Sequence, residues 1–210
     1  YGDRINAIEY MGNGVILAGT AGGTHARIYK STDNGANWSV AHTFSNINHI
    51  SAIERLGTSN THVLVATGGH GHDGNVYRST NAGDSWVLEN NWGSGINQGH
   101  DNIYSLEYIH NDVVIHGGGY NQGDGSVWRS ADGGQNWVDL RGANYQGHAQ
   151  TGGAIWNNVV VFDKNYSYTD YYSYSDSWWV MDLKYVGNGV VLGSRRPVRT
   201  LGGGSSSTVP

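Results

Sequence analysis

One octapeptide pattern is written three times in this 210-residue chain: Ser31-Thr32-Asp33-Asn34-Gly35-Ala36-Asn37-Trp38, Ser79-Thr80-Asn81-Ala82-Gly83-Asp84-Ser85-Trp86 and Ser130-Ala131-Asp132-Gly133-Gly134-Gln135-Asn136-Trp137. The copies start 48 and 51 residues apart. Each follows a short apolar-basic stretch: Ile28-Tyr29-Lys30, Val76-Tyr77-Arg78 or Val127-Trp128-Arg129. A period of this size restricts the chain to a fold assembled from one repeated supersecondary unit. Within a copy, Asp33 and Asn81 are expected to accept hydrogen bonds from backbone N–H groups two residues on. Gly35, Gly83 and Gly134 supply the positive φ of a tight turn. The tryptophan opens the next strand and covers the hairpin. Each copy thus reads as a structural clip.

A second element precedes each octapeptide. Ile8-Glu9-Tyr10-Met11 leads through Gly12-Asn13-Gly14 to Val15-Ile16-Leu17, and Leu106–Ile115 and Leu183–Leu192 repeat that arrangement. Ile53–Val65 is a fourth copy with a longer turn, and Ile155–Val161 a weaker fifth. Each reads as a β-hairpin with a Gly, Asn or Asp turn. The repeat is then a four-stranded unit: hairpin, third strand, octapeptide turn, fourth strand. A shortened fourth unit is expected to end in a degraded box, Tyr172–Trp178, and a fifth to stop after a third strand at Val198-Arg199-Thr200.

The pattern Ser-x-Asp-x-Gly-x-x-Trp resembles the Asp-box, or BNR repeat, of sialidase-like β-propellers. The resemblance implies an all-β propeller in residues 1–201, with 202–210 a Gly/Ser-rich tail or linker. It makes Ser31, Asp33, Gly35, Trp38, Ser79, Asn81, Gly83, Trp86, Ser130, Asp132, Gly134 and Trp137 scaffold residues. Five blades are expected, four complete and one partial, in a closed ring; a piece of a longer propeller is the other arrangement. Closure would remove exposed strand edges. The open edge of the fifth blade would be paired by residues 1–6 or by a strand of a neighbouring subunit, making a homo-oligomer or filament.

Composition agrees with short strands and tight turns. The chain has 33 Gly, 2 Pro, 14 Tyr and 8 Trp, and its formal net charge of −5 without a Lys/Arg run argues against a nucleic-acid partner. It has no Cys, which removes disulfides and thiolate metal sites. No stretch is long and apolar enough to insert in a membrane. Starting at Tyr1, the chain reads as a mature product or a fragment.

Propeller ligands are expected on the loop face opposite the octapeptides. The loops on that face are Gly19–Ala26, Thr67–Asn75, Gly117–Ser126, Asp163–Tyr171 and Ser194–Arg196, with the inter-unit segments His42–His49, Glu89–Asn102 and Arg141–Thr151. They carry aromatic and amide groups suited to sugar rings or to a protein surface: Trp92, Gln98, Tyr120, Asn121, Tyr145 and Gln146. His49, His100 and His148 each precede the first strand of a unit. In a propeller they would converge near the axial mouth and meet a ligand, or else each would bond a neighbouring blade. No metal or cofactor is assigned. Asn37-Trp38-Ser39 and Asn165-Tyr166-Ser167 fit the glycosylation triplet.

The resemblance stops short of catalysis. Sialidases of this kind carry an arginine triad with an Arg-Ile-Pro-like motif, whereas Arg4-Ile5-Asn6 lacks the Pro. Arg78 and Arg129 sit beside octapeptides, on strands that would not converge. The reading is a non-catalytic recognition or structural module on a cell, filament or virion exterior, binding glycan or a surface protein. Its composition is akin to phage tail and surface-appendage proteins. The alternatives are a small glycoside hydrolase and a protein-binding assembly factor.

Overall fold

The computed structural model describes residues 4–69, 72–89, 91–92, 102–119, 125–139, 155–156, 159–160, 177–187 and 190–198, and every regular element among them is a strand. The first sheet is an antiparallel meander of β1 (Arg4–Gly12), β2 (Val15–Ala21), β3 (Ala26–Ser31) and β4 (Ser39–Phe44). The second repeats it with β5 (Ile50–Arg55), β6 (Val63–Gly69), β7 (His72–Ser79) and β8 (Val87–Leu88). Before the third sheet comes the short β9 (Asn91–Trp92). That sheet contains β10 (Asn102–His110), β11 (Val113–Gly119), β12 (Gly125–Ser130) and β13 (Asn136–Asp139). The chain is therefore all-β and built of four-stranded up-and-down sheets, as the repeat requires.

The hairpins follow from local chemistry. Asn13 and Gly14 both have positive φ between β1 and β2, as do Asn111 and Asp112 between β10 and β11. That pairing matches the primed two-residue turn whose twist suits antiparallel strands. Each sheet's first strand also carries a bulge near its start, at Ile5/Ala7, Ile50/Ala52, Ile103/Ser105 and Val180/Asp182. The recurrence marks the bulge as part of the repeat, bending each first strand in the same place.

The sheets stack in chain order, one face of each against the opposite face of the next. Met11 and Leu17 of the first sheet join Ile50, Ile53 and Val65 of the second in one buried cluster. Leu56 and Leu64 meet Leu106, Val114, Trp128 and Trp137 in another. Ile109 and Ile115 meet Leu183 and Val191 in a third. First strands lie beside first strands at each junction, the arrangement of blades around a propeller axis.

Two expectations need correction. The third sheet has a fifth strand, because β9 adds to β13 in parallel, Asn136 opposite Asn91 and Trp137 opposite Trp92. The last hairpin, β16 (Ser177–Gly187) and β17 (Val190–Val198), packs directly on the third sheet instead of following a separate fourth unit. Leu183 and Val191 fit the face of Ile109 and Ile115 as their counterparts fit the sheets before. Trp178 consequently lies inside β16 opposite Pro197, not at a box turn, and Val198 ends β17 opposite Ser177. Ser194–Arg196, read as a loop, is also inside β17, while β15 (Val159–Val160) joins β17 in parallel and pairs with β14 (Ile155–Trp156). Of the N-terminal segment, Arg4 and Ile5 pair with Ala21 and Thr20 of their own sheet, and residues 1–3 lie outside the described residues.

Candidate functional site

The three octapeptides share one hydrogen-bond network. Ser31 Oγ donates to Asp33 Oδ1 at 2.8 Å and accepts from Gly35 N at 2.9 Å; Ser79 and Ser130 do the same for Asn81 and Gly83, and for Asp132 and Gly134. Asp33 Oδ1, Asn81 Oδ1 and Asp132 Oδ1 each accept a backbone N–H four residues on, from Asn37, Ser85 and Asn136, all at 2.9 Å. The reach is four residues instead of two, because the serine hydroxyl already takes the N–H of Gly35, Gly83 or Gly134, two residues on. Each tryptophan Nε1 donates to the glycine carbonyl three residues back. Gly35, Gly83 and Gly134 have φ near +87°, at 88°, 85° and 89°. A further bond ties every octapeptide to its own hairpin turn, from Asn34 N to Gly14 O, Ala82 N to Thr61 O and Gly133 N to Asp112 O.

These bonds set the carboxyls' acidity. Asp33 is held at about 2 by the backbone N–H of Asn37, helped by the Asn37 and Ser31 side chains. Burial pushes the Asp132 carboxyl up, but the Asn136 donors and the Ser130 hydroxyl outweigh it and leave it lowered. Asn37 spends its side-chain amide on Asp33 Oδ2 at 2.6 Å. The tryptophans reach beyond their own hairpins: Trp86 packs against a cluster that includes Met11 and Leu17 of the first sheet, and Trp137 belongs to one that includes Leu56 and Leu64 of the second.

Along the axis runs a row of charged residues that the sequence reading passed over. Glu9, Glu54, Glu107 and Lys184 hold one register position, opposite Leu17, Leu64, Ile115 and Leu192. Glu54 Oε1 accepts the Tyr108 N–H of the next sheet at 2.9 Å. Glu107 Oε1 accepts Tyr185 N–H at 2.7 Å, and Lys184 Nζ lies 3.2 Å from the same oxygen. Each of these two carboxyls therefore bonds a backbone donor of the following sheet, which relieves the cost of burying both groups. Burial pushes Glu54 up to about 8, against the Tyr108 bond and with the added charge of Glu107 and Glu9. Glu9 is raised by burial too, with Arg55 and Lys184 opposing. Lys184 is raised by its hydrogen bond and charge pairing with Glu107. The row thus sets Glu54, raised by burial, near the Lys184-paired Glu107. The signal was present in the sequence as a glutamate recurring after Ile8, Ile53 and Leu106.

At the end of the sheets opposite the octapeptides, Gly22 N donates to Asn48 O at 3.0 Å, and Ala26 N to Ile47 O. His49 lies there, in a bridge with Ala21, with its Nε2 3.2 Å from Asn6 Nδ2 of the first strand. Its backbone carbonyl accepts Gly68 N at 3.3 Å. Trp92 is placed in β9 beside β13. Gln98, His100, Tyr120, Asn121, Tyr145, Gln146 and His148 lie outside the described residues, as do Asn165 and the Tyr172–Asp176 stretch. Among the described residues no group of three His, Asp or Glu side chains is placed to hold a metal ion.

No protein-family profile and no curated protein matches this sequence. Solved structures that resemble it include YCF48 bound to a D1 peptide, at 15% identity and a TM-score of 0.47, covering 66% of this chain and 41% of that one. A GH74 enzyme of Niastella koreensis aligns at 18% identity, TM-score 0.44, over 60% of this chain and 19% of that chain. Saccharomyces cerevisiae Sqt1 aligns at 16% identity, TM-score 0.43, over 72% and 38%. The chain thus spans less than half the length of each.

Proposed function

We propose that this chain is an Asp-box β-propeller, with four blades among the described residues. It serves as a non-catalytic recognition or structural module on a cell or virion exterior, engaging glycan or a protein through the loop end opposite the octapeptides. The observation that carries this reading is the use made of its polar groups. The octapeptide side chains close their own turns, and Glu54 and Glu107 are bonded to the next sheet's backbone. Scaffold chemistry is thereby concentrated at one end and along the axis. The sequence connections expected at the other end are the variable ones, rich in aromatic and amide residues, where function departs from a repeat. Tyr120, Tyr145, His49, His100 and His148 are the residues proposed to meet the ligand, with Gln98, Asn121 and Gln146 supplying amides; Trp92, opposite Trp137 of the third octapeptide, is set apart from them. A glycan array and a peptide array, probed with wild type, Tyr120→Ala and Tyr145→Ala, test this. Binding lost in both variants supports the reading; binding unchanged by either, or two silent arrays, overturns it.

A second reading, a small glycoside hydrolase, is favoured by one observation: two carboxyls, Glu54 raised by burial and Glu107 paired with Lys184, stand on neighbouring sheets. Hydrolysis of an aryl glycoside that disappears in Glu54→Gln, with the fold intact by circular dichroism, would establish it. No turnover by the wild type removes it.

A further inference from the structure

Every junction inside the chain uses the same two faces. On one side stand Met11, Leu56 and Ile109, at 0%, 7% and 6% exposure; on the other, Ile53, Leu106 and Leu183, at 6%, 5% and 3%. The first sheet's counterpart of Ile53 is Ile8, and it is 63% exposed. The last sheet's counterpart of Met11 is Val186, and it is 54% exposed. The tryptophan row tells the same story independently: Trp137 is 3% exposed beneath the second sheet, whereas Trp38, with no sheet before it, is 43% exposed. Tyr10 and Ile5 extend the uncovered face. An apolar, repeat-matched surface of this kind is an unfilled interface rather than scattered surface hydrophobicity.

We propose that the uncovered face of the first sheet docks the last sheet of a second copy of this chain, so that copies add head to tail. The occupant follows from continuity. The face carrying Val186 is the next member of the series Met11, Leu56, Ile109, and that series already covers the face that Ile8 belongs to at three junctions. Charge agrees as well. Residues at the axial register position meet across a junction, as Lys184 and Glu107 do at 3.2 Å, and a copy-to-copy junction would set Lys184 beside Glu9. Lys184 also feels Glu9 of its own chain, so closure of one chain on itself is the competing occupant. Yet among the described residues nothing covers Ile8 or Val186 within a single chain. The contact is heterologous, one patch against a different patch, and so it propagates until the rotation closes. This surface is distinct from the loop end proposed for ligand, and its test does not depend on that reading.

Sedimentation velocity on the full chain, with Ile8→Asp and Val186→Asp, is decisive. Both positions are exposed, so neither change burdens folding, and circular dichroism verifies that. The wild type is expected to gain mass with concentration beyond one chain. Each variant alone is expected to stay monomeric, because each lacks one of the two faces. An equal mixture of the two is expected to form a one-to-one dimer and stop there, since each supplies the face that the other keeps. A wild type that is monomeric at every concentration overturns the proposal, pointing to self-closure or a foreign partner. So does an oligomer that neither variant affects, or a mixture that remains monomeric.

Discussion

A methyl group placed on Gly134 would come within 2.7 Å of Leu64 Cδ1, on the sheet before it. Gly83 stands in the same relation to Leu17, at 3.1 Å, whereas Gly35 meets Ile16 at 3.5 Å and Trp38 of its own octapeptide at 3.8 Å and, among the described residues, nothing of another sheet within 4 Å. Octapeptide glycines after the first thus serve two purposes, a left-handed turn and a close approach between sheets.

This predicts graded losses. Gly35→Ala should lose about 1 kcal/mol, the cost of φ +88° for a residue with a Cβ. Gly134→Ala should lose that and the displacement of Leu64, about 2–4 kcal/mol in all. Urea unfolding of both variants measures the difference. Equal losses would mean that the approach to Leu64 is of no account.

Ser130 offers a second test. Its buried hydroxyl donates to Asp132 and accepts from Gly134 N at 2.9 Å. Ser130→Ala leaves that N–H unanswered inside the protein, at about 1–3 kcal/mol. Ser130→Thr, which keeps the hydroxyl, should recover part of the loss in thermal melts.

Ala82 has φ 54°, where its counterparts are Asn34 at 59° and Gly133 at 68°. An alanine in the left-handed region carries strain that glycine and asparagine avoid. Ala82→Gly is expected to stabilise by about 0.5–1 kcal/mol and raise the melting temperature. A lower melting temperature would contradict it.

Stability should also follow pH in two directions. Glu54 is raised from 4.5 to about 8, so its unfolded form ionises first. Its contribution is full below pH 4.5 and is lost as pH rises through about 8, with a slope approaching about 1.4 kcal/mol per pH unit. Glu9 adds in the same direction. Asp33 is lowered to about 2, so its contribution is present above pH 3.8 and lost as pH falls through 2. Melts across pH should flatten on the alkaline side in Glu54→Gln and on the acid side in Asp33→Asn, the residue type that Asn81 already supplies.

What the sequence disclosed depended on how far each contact reaches along the chain. The octapeptide bonds span two to four residues, so Ser31, Asp33, Gly35 and Trp38 announce their turn from composition and spacing alone. Hairpin registers were equally legible, because Tyr10–Ile16 and Tyr108–Val114 pair across short turns. The axial row was not. Glu54 and Tyr108 are 54 residues apart and Glu107 and Tyr185 are 78, and a glutamate within a strand looks like any solvated position until the next sheet is laid on it. The parallel β9 is two residues long and carries no periodicity to read. The last hairpin was misplaced for a related reason: its sequence fits any junction of a repeated interface, and only packing against Ile109 and Ile115 fixes which one it occupies.

The serial stacking has a consequence for the order of events at the ribosome. The first sheet leaves Met11 and Leu17 bare until Ile50, Ile53 and Val65 have been translated and paired. The second does the same with Leu56 and Leu64 until the third emerges. Each newly made sheet is a nearest-neighbour lid for the one just finished and a template for the one to come. Synthesis from the N-terminus therefore lets the molecule grow by accretion, with one newly made apolar face waiting at any moment beside the lasting one of Ile8. A pause between sheets lengthens the life of that one sticky surface without exposing the others, and chaperone demand should peak at those pauses.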